Sequence, residues 1–278
     1  MNRIWFRCLR LVGLAFLVAL GAGAQTTAGP FRLGIAPHTS TRVILEMYQP
    51  LRAHLEKALG MPVEVQTAPD FTEFARRALH HEYDLVVTTG HQARLLQTDA
   101  HHIPLLTYKA DFKAVAVVVA KSSYKTPKDL RGTTTIGLST TSLVTLWGQH
   151  WLKSQGLSQV PVRYVSAADS VAQLLLAGEG SAGFVSLANF QKLPPDVQGA
   201  LRLLAESPAM LGRVYLLDQG QAAKKDRILK ELWAFAESEA GRQYLEKNKL
   251  EGYRPLKKRE LESMDPYAAE VRQTLQQK

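Results

Sequence analysis

Four consecutive hydroxyl side chains, Ser139, Thr140, Thr141 and Ser142, have the residue types and spacing best suited to holding a ligand. They lie between an apolar, strand-like run (133–138) and a helix-like run (143–152). The N-terminus of a helix presents unpaired backbone N–H groups and a partial positive charge, and hydroxyl groups add further donors. This combination suits an anion with several oxygen atoms. Ser and Thr are also ordinary N-caps, so the local sequence favours binding and capping about equally.

Two other strand-like runs also end in polar residues just before a helix-like run. One leads into Thr39 and Ser40, and the other leads into Thr89, Gly90 and His91. If the sheets are parallel at these positions, all three strand ends face the same cleft. Any one of them can be a simple cap, but the three together favour a binding site.

Two pairs of adjacent histidines, His80-His81 and His101-His102, raise the question of a metal site. Neighbouring residues on a strand or helix point in different directions, so an adjacent pair rarely supplies two ligands to one ion. We therefore expect surface or loop histidines and predict no metal site.

Other motifs with chemical meaning are missing or stand in the wrong context. The glycines of 178–183 match the pattern GxGxxG, but a helix-like run precedes them and a strand-like run follows, the reverse of what phosphate binding needs. A glycine turn that ends a helix explains this segment better. The sequence contains no GxSxG, HExxH or P-loop motif. We predict a protein that is not an enzyme and that has no cofactor.

Strand-like and helix-like runs alternate along the chain, which predicts an α/β fold. The predicted strands are 31–36, 62–67, 84–88, 102–108, 113–120, 133–138, 162–165, 182–186, 201–206 and 212–217. The predicted helices are 41–59, 70–80, 90–98, 127–130, 143–155 and 169–177, followed by a charged helical tail over 222–278. We predict two lobes, one built from residues 25–112 and 212–278 and the other from 113–211. Each lobe is expected to be a mainly parallel sheet flanked by helices, with two crossover segments as the hinge.

The first 24 residues have the pattern of a secretory signal peptide. They combine three arginines, an apolar run over 11–20 and the small residues Ala22-Gly23-Ala24. The only cysteine, Cys8, belongs to this segment, so the remaining 254 residues have no thiol or disulfide chemistry. Those residues carry 31 basic and 25 acidic side chains, a net charge of +6 that helps to attract an anion. The basic residues form no concentrated patch, so we expect no binding of nucleic acid. The signal peptide predicts a periplasmic protein, and we expect it to be a monomer.

Short motifs spread over residues 31–275 carry a family resemblance. They are Leu33-Gly34-Ile35-Ala36-Pro37, Tyr48-Gln49-Pro50-Leu51, Leu55-Glu56-Lys57-Ala58-Leu59-Gly60, Tyr83-Asp84-Leu85-Val86, Thr89-Gly90 and Lys128-Asp129-Leu130-Arg131-Gly132. By these motifs the chain resembles the periplasmic solute-binding proteins of phosphate, phosphite and phosphonate ABC importers. The resemblance implies a two-lobed type II binding protein that closes like a hinged trap. It also implies that the hydroxyl loop 139–142 grips the oxygens of a phosphonate.

The chain departs from this family at three positions. Ala168 stands, just before Asp169, where the family has a histidine that contacts the anion, and Ser181 stands near where an acidic residue holds an amine. An aromatic residue expected soon after Gly90 is missing, with Arg94 nearby. The resemblance therefore implies that the anion grip is partly kept and that the amine pocket is lost.

We expect a periplasmic binding protein for a small phosphate-like oxyanion or anionic organic solute, working with an inner-membrane ABC permease. The same fold can instead serve as a ligand-sensing partner of a histidine-kinase ectodomain, and the sequence does not separate these two roles. A periplasmic hydrolase is a third, less supported alternative. The predicted ligand-binding residues are Thr39, Ser40, Thr89, Gly90, His91, Ser139, Thr140, Thr141, Ser142, Ala168 and Asp169.

Overall fold

The structure is a computed structural model that describes residues 29–277. The predicted signal peptide, residues 1–24, lies outside the described residues. The described chain folds into two β-sheets flanked by helices, which confirms the predicted α/β class.

The strands agree with the sequence-based bounds to within two residues wherever a strand was predicted. In chain order they are β1 Phe31–Ile35, β2 Val63–Gln66, β3 Leu85–Thr89, β4 Ile103–Tyr108, β5 Ala114–Val119, β6 Thr135–Gly137, β7 Val162–Tyr164, β8 Ala182–Ser186, β9 Leu201–Glu206, β10 Arg213–Leu217 and β11 Tyr253–Arg254. The first sheet has the order β11-β4-β10-β3-β1-β2, and the second has the order β7-β6-β8-β5-β9.

The α-helices of the described residues are α1 Thr41–Leu59, α2 Phe71–Leu79, α3 Gly90–Asp99, α4 Leu143–Ser154, α5 Ala168–Leu176, α6 Leu187–Phe190, α7 Pro195–Gly199, α8 Lys225–Glu237, α9 Glu239–Lys247 and α10 Asp265–Gln276. Short 3₁₀ helices cover Pro127–Leu130, Gln219–Lys224 and Glu260–Met264. Among these described helices, none has the length and apolar character needed to cross a membrane.

Local sequence accounts for the two helices that flank the start of the first sheet. Helix α1 buries one face and ends at Gly60, whose φ of 69° is a left-handed conformation that glycine adopts without strain. Helix α2 begins after Asp70, whose carboxylate accepts hydrogen bonds from the backbone N–H groups of Thr72 and Glu73. Gly60 thus fixes the turn from α1 into β2, and Asp70 fixes the turn from β2 into α2.

The first sheet is covered by apolar side chains on both faces, as the uninterrupted apolar sequence of β3 predicts. Leu85 and Val87 pack into a core with α1 and α8, whereas Val86, which points to the opposite face, packs into a core with α2 and α3. This double cover leaves the ends of the strands as the accessible part of the sheet.

Both sheets are mixed, which corrects the expectation of mainly parallel sheets. In the first sheet β1 pairs in parallel with β2 and β3, but β10 is antiparallel to both β3 and β4. In the second sheet β6 pairs in parallel with β7 and β8, but β5 is antiparallel to β8 and β9. The reason is topological, because β5 and β10 enter their sheets directly from the other sheet. Without a helical crossover, an arriving strand is not constrained to the parallel direction.

Two short segments connect the sheets, between β4 and β5 and between β9 and β10. They run side by side and are tied by an antiparallel bridge between Phe112 and Met210. Gly90, the first residue of α3, lies against this hinge so closely that a Cβ atom there would stand 2.8 Å from the carbonyl oxygen of Leu211. The lobe boundaries predicted at 112/113 and 211/212 fall within these segments and remain a prediction.

The two lobes also contact each other through helices α4 and α10. The imidazole of His150 hydrogen-bonds Glu270 and stacks on Tyr267 with ring centroids 4.8 Å apart. Beside this contact, Trp147 and Trp151 stack on each other with centroids 6.0 Å apart and line a groove of about 610 Å³. The structure therefore describes the lobes in contact with each other, with a cleft between them.

Candidate functional site

The hydroxyl loop 139–142 divides its side chains between structural and free roles. Ser142 is the N-cap of α4, and its Oγ accepts a hydrogen bond from the backbone N–H of Thr145 at 3.4 Å. The Oγ1 of Thr141 lies 3.1 Å from the Oγ1 of Thr72, which belongs to the first turn of α2 in the other lobe. The Oγ of Ser139 is buried and has no hydrogen-bond partner within residues 29–277. The loop therefore combines a capping hydroxyl at Ser142 with an unpaired one at Ser139, and ligand binding by the loop remains a prediction.

His91 connects the lobes through the same loop. Its side chain is fully buried, its Nε2 donates to the backbone carbonyl of Thr141 at 2.9 Å, and its Nδ1 accepts from the hydroxyl of Thr89 at 3.1 Å. Burial lowers the pKa of His91 to about 4, so the ring is neutral at pH 7. This neutral tautomer satisfies both nitrogens and fixes the loop against α3.

Arg213 brings a positive charge to the cleft at the first residue of β10. Its backbone pairs with Thr89, which places it at the same edge of the sheet as the N-terminus of α3. One guanidinium N–H group lies 3.2 Å from Nε2 of His38 and 3.1 Å from the hydroxyl of Tyr48. Within residues 29–277 no carboxylate forms a salt bridge with Arg213. A partly buried cation without an anionic partner is a strong candidate for ligand binding.

His38 is held in the form that accepts a hydrogen bond from Arg213. Its Nδ1 donates to the carbonyl of Ala36 at 2.8 Å, which leaves the lone pair of Nε2 for the guanidinium. Burial and the charge of Arg213 lower the pKa of His38 to about 3. The ring therefore adds no charge of its own and instead orients the arginine.

A network of buried tyrosine hydroxyls supports the arginine from the other side. The guanidinium carbon of Arg213 lies 5.1 Å from the ring centroid of Tyr108. The Tyr108 hydroxyl contacts those of Tyr215 and Tyr244 at 2.6 Å each, and Tyr215 contacts Tyr253 at 2.9 Å. Burial raises the pKa of four tyrosines, so their hydroxyls stay neutral and do not neutralise the positive charge of Arg213. These are Tyr108, Tyr215, Tyr244 and Tyr253.

These groups line a cleft made of two adjoining cavities. The smaller one, about 40 Å³, is lined by Ser142, Leu143 and Val144 at the N-terminus of α4, among other residues. The larger one, about 160 Å³, is lined by Arg213, Lys192 and Lys249 together with a single acidic residue, Asp111. The two cavities share the lining residues His38, Thr89, Phe112, Ser186 and Asn189. Helix N–H groups thus lie at one end of the cleft and cationic side chains at the other, an arrangement that favours an anion.

Several of the predicted residues meet around this cleft. Thr39 and Thr89 line the cleft directly, and Gly90 and His91 form the helix start behind Thr89. Thr140 is partly buried in the loop, and Ser40 is the exposed N-cap residue of α1, with no side-chain capping hydrogen bond.

Two predicted residues do not join this group. Ala168 packs into the apolar core beneath α5, and Asp169 is exposed on the first turn of that helix. Neither residue lines the cleft cavities. The two departures at Ser181 and Arg94 also lie elsewhere, since Ser181 hydrogen-bonds Tyr124 and Arg94 pairs with Asp265.

The residues that sequence reasoning missed are Thr72, Ser186, Asn189, Lys192 and Arg213. Ser186 and Asn189 had a detectable signal, because they follow a predicted strand end as the other polar loops do, and the Asn189 amide donates to the carbonyl of His38 across the cleft. Arg213 had no such signal, since it starts a strand instead of ending one. Only the antiparallel pairing of β10 with β3 brings it to the cleft.

The arrangement of two mixed sheets joined by a double crossing, with a polar cleft between them, is that of a type II periplasmic binding protein. The family of periplasmic substrate-binding proteins of phosphonate ABC transporters matches residues 33–261, and the chain belongs to this family. A search of curated proteins by sequence gives no significant match.

Solved structures with the same fold include the following three bacterial proteins. PhnD1 from Prochlorococcus marinus in complex with methylphosphonate has a TM-score of 0.74 at 15% identity, covering 87% of this chain and 98% of that one. XAC2383 from Xanthomonas citri bound to chloride has a TM-score of 0.73 at 19% identity, covering 88% and 99%. A binding protein component of an ABC phosphonate transporter from Pseudomonas aeruginosa has a TM-score of 0.70 at 13% identity, covering 89% and 98%.

Proposed function

We propose that this protein captures a small phosphate-like oxyanion or a compact anionic organic solute in the interlobe cleft and delivers it to an inner-membrane ABC permease. The observation that carries the proposal is Arg213, a cation with no carboxylate partner, in a cleft whose other end is the N-terminus of α4. A charge-assisted hydrogen bond from the guanidinium and neutral donors from the facing lobe together suit an oxyanion.

The ligand-contacting groups in this proposal come from both lobes. Arg213, Thr39 and Thr89 act from the first sheet. From the second sheet Ser139 acts through its Oγ, which is buried without a hydrogen-bond partner among the described residues and follows the cleft-lining Leu138. Ser142 also lines the cleft, but its hydroxyl mainly caps α4. His91 acts indirectly, because both of its nitrogens are already engaged in holding the loop. Ala168 and Asp169 are left out of the proposed contact set because Ala168 packs into the apolar core and Asp169 is exposed on the first turn of α5.

The proposed ligand lacks an amino group. The larger cavity has a single acidic residue, Asp111, beside three cationic side chains, so an ammonium group would meet repulsion there. Burial, followed by the positive charges of Arg213 and Lys249, lowers the pKa of Lys192, so this end of the cleft already disfavours a further cation. We expect methylphosphonate and phosphate to bind better than aminoethylphosphonate.

Isothermal titration calorimetry of the purified protein tests this proposal. The titrants are phosphate, phosphite, methylphosphonate, aminoethylphosphonate and sulfate. We expect at least one of the amine-free anions to bind with one equivalent, and aminoethylphosphonate to bind more weakly. Absence of binding by all of them at millimolar concentration contradicts the oxyanion assignment, and a preference for aminoethylphosphonate contradicts the loss of the amine pocket.

A further inference from the structure

Three potential metal ligands meet at the edge of the first sheet that lies opposite the cleft. His81 follows α2, His102 precedes β4 and Asp218 follows β10. The strands β3, β4 and β10 have their other ends at the cleft, so this cluster lies a full strand length away from the ligand site. One candidate ligand atom from each of the three residues lies within 4.8 Å of the other two.

Asp218 is the centre of the cluster. Its Oδ2 lies 2.5 Å from Nδ1 of His81 and 3.6 Å from Nε2 of His102, and the two imidazole rings are nearly parallel with centroids 5.5 Å apart. Its Oδ1 accepts the backbone N–H of Gly220 at 2.8 Å, which fixes the orientation of the carboxylate. Such a second hydrogen bond is typical of carboxylates that ligate a metal.

His102 supplies the independent observation that points to a ligand. The residue is only 2% exposed, and within the described part of the chain neither of its ring nitrogens has a hydrogen-bond partner. A buried imidazole without partners is costly, because its polar atoms lose their hydration and gain nothing in exchange. His91, which is buried to the same degree, has both nitrogens hydrogen-bonded. The difference calls for a missing partner at His102.

We propose that His81, His102 and Asp218 bind one divalent transition-metal ion, for which Zn²⁺ is the best match. Two imidazole nitrogens and one carboxylate oxygen are ligands that zinc prefers, and water can complete a four-coordinate site. Ligand atoms about 2.0–2.1 Å from a tetrahedral ion are roughly 3.3 Å apart. The separation of 3.6 Å between His102 and Asp218 already matches this value.

His81 must move outward to complete the site. Its present distance to Asp218 of 2.5 Å is that of a direct hydrogen bond, so a metal ion would replace the shared proton and separate the two atoms. The side chain of His81 is 50% exposed and is free to make this adjustment. The ion would join the end of α2 to the ends of β4 and β10.

This proposal departs from the sequence-based prediction of no metal site, which no observation here tests. Adjacent histidines do point apart, and His80 and His101 are exposed and take no part in the cluster. The fold instead brings together the second member of each pair. Treating each pair separately hid this possibility, because the contact depends on the pairing of β4 with β10.

Zinc titration of the untagged, chelator-treated protein by calorimetry, in a buffer without phosphate, tests the proposal. We expect one equivalent of Zn²⁺ to bind and to raise Tm. Replacing His81 by Ala should weaken Zn²⁺ binding by more than about tenfold and abolish the Tm increase. His81 is exposed enough for the variant to fold, and Asp218→Asn serves as a second ligand variant.

His80→Ala and His101→Ala are matched controls, since each removes the sequence neighbour of a proposed ligand. Both should bind Zn²⁺ like the unsubstituted protein. With Co²⁺ in place of Zn²⁺, the intense visible absorption of a tetrahedral site is expected and should be lost in His81→Ala. Absence of stoichiometric Zn²⁺ binding, or equal binding by His81→Ala and the controls, overturns the proposal and leaves a hydrogen-bonded cluster only.

Discussion

The two walls of the cleft offer a ligand different chemistry. The wall from the first sheet carries a full charge on Arg213, held by His38 and Tyr48 before any ligand arrives. The wall from the second sheet offers mainly neutral donors, the hydroxyl loop and the first turn of α4, with Lys192 as its cation among the cleft-lining residues. The difference implies that charge sets the attraction while neutral donors set the geometry, and that only contact between the lobes combines the two.

Removing the positive charge of Arg213 should have the largest effect on anion affinity. We expect Arg213→Gln to weaken binding of the tightest anion from the calorimetric screen by about 100-fold, because a charge-assisted hydrogen bond contributes roughly 1.5–3 kcal/mol. Arg213→Lys should fall between, since it keeps the charge and loses the forked geometry. Arg94→Gln is the matched control, because Arg94 pairs with Asp265 away from the cleft. Unchanged affinity in Arg213→Gln would remove the charge from the site.

Acid should weaken the contact between the walls through His91. The pKa of this buried ring is lowered to about 4, from an ordinary value of 6.5, so its contribution to stability is complete above pH 6.5. That contribution is lost as the pH falls from 6.5 toward 4, at about 1.4 kcal/mol per pH unit. Denaturant unfolding at several pH values measures it.

His91→Gln separates this histidine from the other titrating groups. Glutamine can still donate to the carbonyl of Thr141 but does not titrate, so the free energy of unfolding should depend less steeply on pH in this window. His80→Gln, at an exposed histidine outside the cleft, should leave the pH dependence unchanged. Equal slopes for His91→Gln and the unsubstituted protein contradict the assignment.

In the hydroxyl loop of the second lobe, Ser139→Ala should lower ligand affinity without lowering stability. The Oγ of Ser139 is buried without a partner, so removing it costs no hydrogen bond within the described protein. We expect the anion to bind about tenfold more weakly, as one hydrogen bond to a charged group is lost, with stability unchanged or slightly raised. Calorimetry and thermal unfolding of the same variant check both parts. A loss of stability without a loss of affinity contradicts the proposed role.

Ser142→Ala should give the smallest effect of the four, and mainly on stability. Its hydroxyl caps α4 through the N–H of Thr145, and loss of an N-cap costs about 1 kcal/mol. Denaturant unfolding measures this change directly. If Ser142→Ala instead lowers affinity more than Ser139→Ala does, the division of the loop into a capping residue and a free residue is wrong.

The sequence predicted the elements better than the site, for a physical reason. Helix and strand periodicity is local, so the bounds of α1 at Thr41–Leu59 and β8 at Ala182–Ser186 coincide with the prediction. Short elements such as α6, α7 and β11 have too few residues to show a period. Polar side chains at the ends of predicted strands could therefore be identified as candidate site residues from the sequence.

Contacts between distant parts of the chain could not be predicted in this way. Arg213 reaches the cleft through the pairing of β10 with β3, and Thr72 reaches the hydroxyl loop through the approach of α2. Ala168 was placed in the site by resemblance, and its burial in the core follows from the apolar face of α5. The local sequence around Arg213, Thr72 and Ala168 does not show which of these residues lies near the cleft and which lies in the core.

The position of the aromatic residues provides an optical signal for lobe movement. Trp147 and Trp151 lie on α4 beside the contact with α10, whereas Trp233 packs against Tyr253 within the first lobe. Separation of the lobes would admit water to the first two indoles and leave the third unaffected. The emission spectrum of the unlabelled protein should therefore report opening and closing directly, with Trp233 as an internal reference.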